Sequence, residues 1–173
     1  HQHIVPHVKG GLVGPADFTL TLVNRMEPTT VKRDLKKETT YGMGKTSVSW
    51  HKDSGLTDFS SIAVYHTLKK LDEGDDNNEQ SSDEWRAALR VASSANSNNT
   101  PPLAVPLPSG ALYYLLDDFN HNHEHAVLAG GNQLRYSSTH RVAREGRGTW
   151  QYIRDKCKAV LVQAKTATVA ANK

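Results

Sequence analysis

Short runs of alternating apolar and polar residues, broken at close intervals by Gly, Pro, Asn and Ser, pass through most of this 173-residue chain and leave room for little but strands. "FTLTLVN" (18–24) alternates cleanly, "YGMGKTSVSWH" (41–51) alternates through Val48 and Trp50 after its two glycines, and "SSIAVYHTL" (60–68) is a third such run. "LAVPLPSGALYYLL" (103–116) reads as strand, Pro-Ser-Gly turn, strand, and "HAVLAGG" and "QLRYSSTHRVA" follow with a turn between them. "WRAALRVA" (85–92) is compatible with a helix or, through Trp85, Ala87, Leu89 and Val91, with a strand; its strand neighbours favour the strand. "EPTTVKRDLKKE" (27–38) reads as a short helix opened by Pro28 and Thr29. From Thr149 the period changes, with Trp150, Ile153, Cys157, Val160 and Leu161 at helical spacing. Many short strands followed by one helix predict a mainly β chain, a sandwich or barrel with a C-terminal helix. The expected divisions are an irregular segment over 1–17, a β core over 18–148, and a helix and tail over 149–173.

Composition narrows the setting. Hydrophobic residues are 37% of the chain, a modest core with generous loops, and no apolar run approaches the roughly 20 residues of a membrane span. The first residue is His rather than Met, so a fragment or processed chain is expected. A lone cysteine, Cys157, excludes an internal disulfide and a thiolate zinc cage, and suits a reducing compartment. The formal charge of +3 conceals an asymmetry. Residues 72–84, "DEGDDNNEQSSDE", hold seven of the 18 acidic residues and read as a mobile loop, so the rest of the chain is strongly basic. Such a body suits a polyanionic partner, although on charge alone the simpler reading, surface lysines that maintain solubility, is favoured.

His51 and Asp53, at the end of the second alternating run, form an H-x-D pair whose members share a face if the strand continues. A third ligand is available in "FNHNHEHAVLAGG" (119–131), where His121, His123 and His125 alternate. His125 is the best placed, because it directly precedes an apolar strand, whereas His121 and His123 lie among Asn residues in what reads as a loop. Two imidazoles and one carboxylate on one face of a metal leave positions open, as non-haem Fe(II) requires; zinc is the rival. His66 and His140 are expected to make ordinary polar contacts.

"RYSSTHR" (135–141) puts Arg135, Ser137, Thr139 and Arg141 on one strand face. Turned into a barrel, that face buries guanidinium groups that need an anion. A dicarboxylate chelating a metal at one end and paired with Arg135 at the other uses all these groups. Turned outward, the same face is a solvated edge with nothing bound.

With the stretches "TLVNRMEP", "YGMGKTSVSWHKD", "IAVY", "LAVPLPSGALYYLLDDFN", "HEHAVLAGG" and "RYSSTHRVA" in order over about residues 18–155, the sequence resembles the AlkB-type Fe(II)/2-oxoglutarate dioxygenases, and within them the FTO-like nucleic-acid demethylases. The resemblance implies a double-stranded β-helix, or jelly roll. It implies His51, Asp53 and His125 as iron ligands, Arg135 as partner of the distal carboxylate of 2-oxoglutarate, and Asn24, Tyr113, Ser137 and Arg141 as further cosubstrate contacts. Where the family usually has Arg-x-Asn-x-x-x-Arg, Ser137 replaces the Asn. Where the family places an acidic base-reading residue after the H-x-D aspartate, this chain has Ser54. The implied activity uses Fe(II), 2-oxoglutarate and molecular oxygen to remove N-methyl groups from bases, N6-methyladenine in RNA foremost, with formaldehyde and succinate released. The implied partner is a single-stranded or flipped-base nucleic acid, RNA favoured, with a nuclear and secondarily a cytoplasmic location and no membrane. A hydroxylase of a protein or small molecule, and a non-catalytic jelly roll that binds nucleic acid, are the alternatives.

Overall fold

The computed structural model describes residues 14–71, 84–92, 100–146 and 148–171, with the side chains of the last helix described to residue 165. The chain order is β1 (Leu20–Met26), β2 (Lys37–Glu38), β3 (Gly44–His51), β4 (Ile62–Lys70), β5 (Arg86–Val91), β6 (Leu103–Pro106), β7 (Leu112–Leu115), α1 (Phe119–Asn122), β8 (His123–Leu128), β9 (Gln133–Arg141) and α2 (Thr149–Ala171). The strands form two sheets, ordered β1-β9-β4-β7 and β2-β3-β8-β5-β6, and every pairing is antiparallel. Apart from β2-β3 and β5-β6, neighbours in space are distant in sequence, and the two sheets make a jelly-roll-like double-stranded β-helix.

The expected alternation does its work between the sheets. Trp85, Ala87 and Val127 from the second sheet meet Met26, Leu68 and Tyr113 from the first in one cluster. Ile62, Val64 and Leu115 continue this interior with Leu56 and Phe119. Ala88, Ala126 and Leu128 point to the other face of the second sheet, where Trp50 and Met43 cover them. The ambiguous segment 85–92 is a strand, paired on one side by β6 and on the other by β8, a central position that its small alternating side chains suit.

Two expectations need correction. Residues 27–38 are not a helix. The chain makes one turn, with the Val31 and Lys32 amides donating to the Pro28 carbonyl at 3.1 and 2.9 Å. It then runs extended into β2, because the Thr29 and Thr30 amides are taken by the Gly130 and Gly131 carbonyls and the Lys36 carbonyl is taken by β3. The stretch read as a loop around His121 and His123 is instead the single turn α1, followed at once by β8. The acidic segment lies outside the described residues except for Glu84, as do residues 1–13 of the N-terminal segment. The helix foreseen from Thr149 is present as α2, with Trp150, Cys157, Val160 and Leu161 exposed along it. No described helix is long and apolar enough to cross a membrane.

Candidate metal and oxoacid site

His51 ends β3 and faces His125 across the β3–β8 ladder, with ring centroids 4.2 Å apart. This pairing depends on an irregularity. Val48 faces Val127, so three steps along β3 correspond to two along β8, and the extra residue is a bulge. The bulge turns His51 to the interior side and releases Trp50 to the outer cluster. Asp53 lies in the loop just beyond, and one ligand atom from each of His51, Asp53 and His125 lies within 4.8 Å of the others.

His51 and Asp53 are held from behind. The His51 Nδ1 is 2.9 Å from the Ser49 carbonyl, and its Nε2 is 3.5 Å from Asp53 Oδ1, which accepts from that nitrogen when it carries a proton and shares a metal with it when it does not. Asp53 is clasped by Asn120, whose side-chain oxygen accepts from the Asp53 amide at 2.9 Å while its side-chain nitrogen donates to the Asp53 carbonyl at 2.8 Å. The Arg141 guanidinium donates to Asp53 Oδ1 at 2.6 Å. Burial pushes the Asp53 carboxyl up, but the His51 hydrogen bond and the Arg141 charge outweigh it and hold the group ionised, below its ordinary value. The Asp53 contact pulls His51 up against its own burial. His125 goes the other way: burial, then the neighbouring His51, lower it to about 4, so it is a neutral imidazole. Its Nδ1 is buried without a hydrogen-bond partner among the described residues. Two imidazoles and an anionic carboxylate in reach of one point, with a buried ring nitrogen unsatisfied, fit a divalent cation of the non-haem Fe(II) kind.

The inward face of β9 supplies the second half of the site. Arg135, Ser137 and Thr139 are buried while Tyr136 is exposed, so the solvated-edge alternative for the two arginines is replaced by an interior face. Arg135 is 1% exposed. It donates to the Met26 sulfur at 3.0 Å and interacts with the Tyr113 phenol, its Nε has no partner among the described residues, and its guanidinium lies 5.9 Å from the Trp85 ring centroid. No described carboxylate forms an ion pair with it. Leaving the charge without a counter-ion and its Nε–H without an acceptor costs at least about 1–3 kcal/mol, which an anion removes. Burial lowers the Arg135 guanidinium and raises the Tyr113 phenol, and the two groups partly offset each other. Half-buried Asn24 on β1 is the register partner of Ser137. Arg141, of the expected cosubstrate group, is bonded to Asp53 at the metal end.

Other residues fall elsewhere. His121 stacks on Phe59 at 4.6 Å and His123 on Phe119 at 4.6 Å, which leaves His125 as the histidine of that run in the cluster. Ser54 is exposed and lines a cavity of about 290 Å³ with Lys52, Asp58, Asn120, His121 and Arg144. His140 makes the ordinary contacts expected of it, with Thr21 at 3.0 Å and Ser138 at 3.1 Å. His66 does not: it is 1% exposed, with both ring nitrogens unpartnered. The reading from sequence missed it, although Ile62, Val64 and His66 share the buried phase of one strand. Asn120 was missed too; an amide that can satisfy both groups of one peptide unit, just before the histidine run, is the signal.

Residues 2–144 match the FTO catalytic domain family. The chain is 43% identical over 145 residues to the alpha-ketoglutarate-dependent dioxygenase FTO of Xenopus laevis, an alignment that takes in 83% of this chain and 28% of that protein. The chain thus spans less than a third of the relative's length. A family match over most of the sequence, joined to this level of identity, decides the assignment: this chain belongs to the FTO catalytic domain family.

Proposed function

We propose that this chain is the catalytic part of an Fe(II)/2-oxoglutarate-dependent dioxygenase that removes N-methyl groups from nucleic-acid bases, N6-methyladenine in RNA foremost. The observation that carries the reading is Arg135, a fully buried guanidinium without a described carboxylate partner, on the interior face that also leads to the His51–Asp53–His125 cluster. Iron with 2-oxoglutarate and oxygen supplies the oxidation: one oxygen atom enters succinate, the other converts the N-methyl group to N-hydroxymethyl, and carbon dioxide and then formaldehyde leave.

The protein's part is holding and orienting. His51, Asp53 and His125 would hold the metal, with Ser49 and Asn120 fixing the first two. Arg135, Ser137, Tyr113 and Asn24 would receive the distal carboxylate, and the packed interior around Trp85 excludes water. Arg141 would keep Asp53 anionic and oriented. A buried metal cannot reach a base inside a duplex, so the substrate is an unpaired or flipped nucleotide. Ser54, exposed and next to Asp53, would meet the base; a hydroxyl there can donate or accept a hydrogen bond but carries no charge.

The test is decarboxylation of 2-oxoglutarate with Fe(II) by the chain, His51→Ala and Arg135→Ala, alongside turnover of N6-methyladenine oligonucleotides and methylated peptides. The reading expects activity in the parent, none above background in either variant, and formaldehyde from the oligonucleotide. Equal rates in all three proteins would sink it, and turnover confined to peptides would move the chain to the protein hydroxylases.

A further inference from the structure

Ser137 has two cross-strand neighbours on the interior face of its sheet: Asn24 on β1 and His66 on β4. Arg135, two residues along β9, is the diagonal neighbour of His66, within reach of a long side chain, and its charge acts on the imidazole. A neutral imidazole carries one donor and one acceptor, and buried polar atoms nearly always find partners. Here neither ring nitrogen of His66 has one among the described residues, and the Nε of Arg135 beside it has none either. Two buried donors side by side, both without an acceptor, mark the place of an acceptor that the chain itself does not supply.

We propose that His66 is a binding residue for the cosubstrate, donating a ring N–H to the distal carboxylate of 2-oxoglutarate next to Arg135 and Ser137. The inference rests on the oxoacid reading above and deepens it. Burial, and then the Arg135 charge, lower His66 to about 4, so it is a neutral donor and would add a hydrogen bond without setting a second cation against the guanidinium. The consequence is selectivity: His66 favours oxoacids with a second carboxylate over those that only chelate the metal.

The test is binding rather than turnover. Mn(II) replaces iron without oxygen, and calorimetry gives the affinity for 2-oxoglutarate and for 2-oxopentanoate, which lacks the distal carboxylate. Loss of one hydrogen bond to a charged group predicts that His66→Phe weakens 2-oxoglutarate by about tenfold or more. 2-Oxopentanoate should be unchanged, and His66→Gln, which keeps a donor, should stay within about threefold of the parent. If His66→Phe does not melt cooperatively, His66→Leu, which also lacks a donor, carries the same comparison. Equal weakening of both oxoacids would mean a structural role, and unchanged 2-oxoglutarate affinity would mean no role; either overturns the proposal while leaving the oxoacid site standing. Failure of the parent chain to bind 2-oxoglutarate at all overturns the oxoacid reading itself, and the proposal with it.

Discussion

Asn120 closes a two-point clasp on the backbone of Asp53, accepting from its amide at 2.9 Å and donating to its carbonyl at 2.8 Å. Asp53 is two residues past the end of β3, so the sheet ladder does not hold it. Its carboxylate direction depends on this amide and on Arg141. Asn120→Ala is expected to weaken Mn(II) binding about 10- to 100-fold, the usual effect of removing a group that orients a ligand. Metal titration beside a thermal melt checks this; unchanged affinity in a folded variant would show that the loop holds Asp53 unaided.

Arg135 separates stability from function. Its charge is buried without a described anionic partner, so Arg135→Met removes a desolvation cost and fills similar space. The ligand-free variant is expected to melt no lower than the parent while losing 2-oxoglutarate binding by at least about a hundredfold. A lowered melting temperature with retained binding would make Arg135 a structural residue.

Glu38 sets an acid limit. It is 6% exposed, and its carboxylate accepts from the Trp50 indole and the Thr40, Tyr41 and Met43 amides. Burial raises its pKa, but the Trp50 and backbone hydrogen bonds outweigh it and bring the group down to about 2. A carboxyl depressed on folding stabilises fully above its unfolded value, near 4.3, and that contribution is lost as pH falls toward 2. Glu38→Gln should lower stability at neutral pH by on the order of 2–3 kcal/mol and flatten the loss between about pH 5 and 2. Urea titrations across that range measure both, and parallel pH profiles for parent and variant would contradict the assignment.

Gly130 is required by space. A Cβ there would lie 2.6 Å from Trp85 Cδ1 and 2.9 Å from the Trp85 backbone nitrogen. Trp85 cannot retreat, since its indole donates to the Gln133 carbonyl at 2.8 Å and its ring is in the core between the sheets. Gly130→Ala should cost about 1–3 kcal/mol, read as a lower urea midpoint with altered tryptophan emission. An unchanged midpoint would mean that the loop over Trp85 yields.

The sequence by itself determined the strands other than β2, because a half-buried strand repeats every two residues and its ends carry Gly, Pro and Asn. It also determined the chemical types of the cluster, since His51, Asp53, His125 and Arg135 are legible as potential ligands whatever the fold. The helix expected at 27–38 failed because Thr29 and Thr30 give their amides to Gly130 and Gly131, partners a hundred residues away. His66 was passed over because a histidine in an alternating run shows its phase but not whether it finds a partner. The clearest case is His51. It lies three residues from Val48, an interval that in a regular strand puts the two on opposite faces. The structure turns both inward and sends Trp50 out, because one extra residue of β3 is absorbed against β8. Side-chain alternation is a local property that a single chain segment carries, whereas a bulge exists only between two strands, so the facing of His51 and His125 was decided by their pairing.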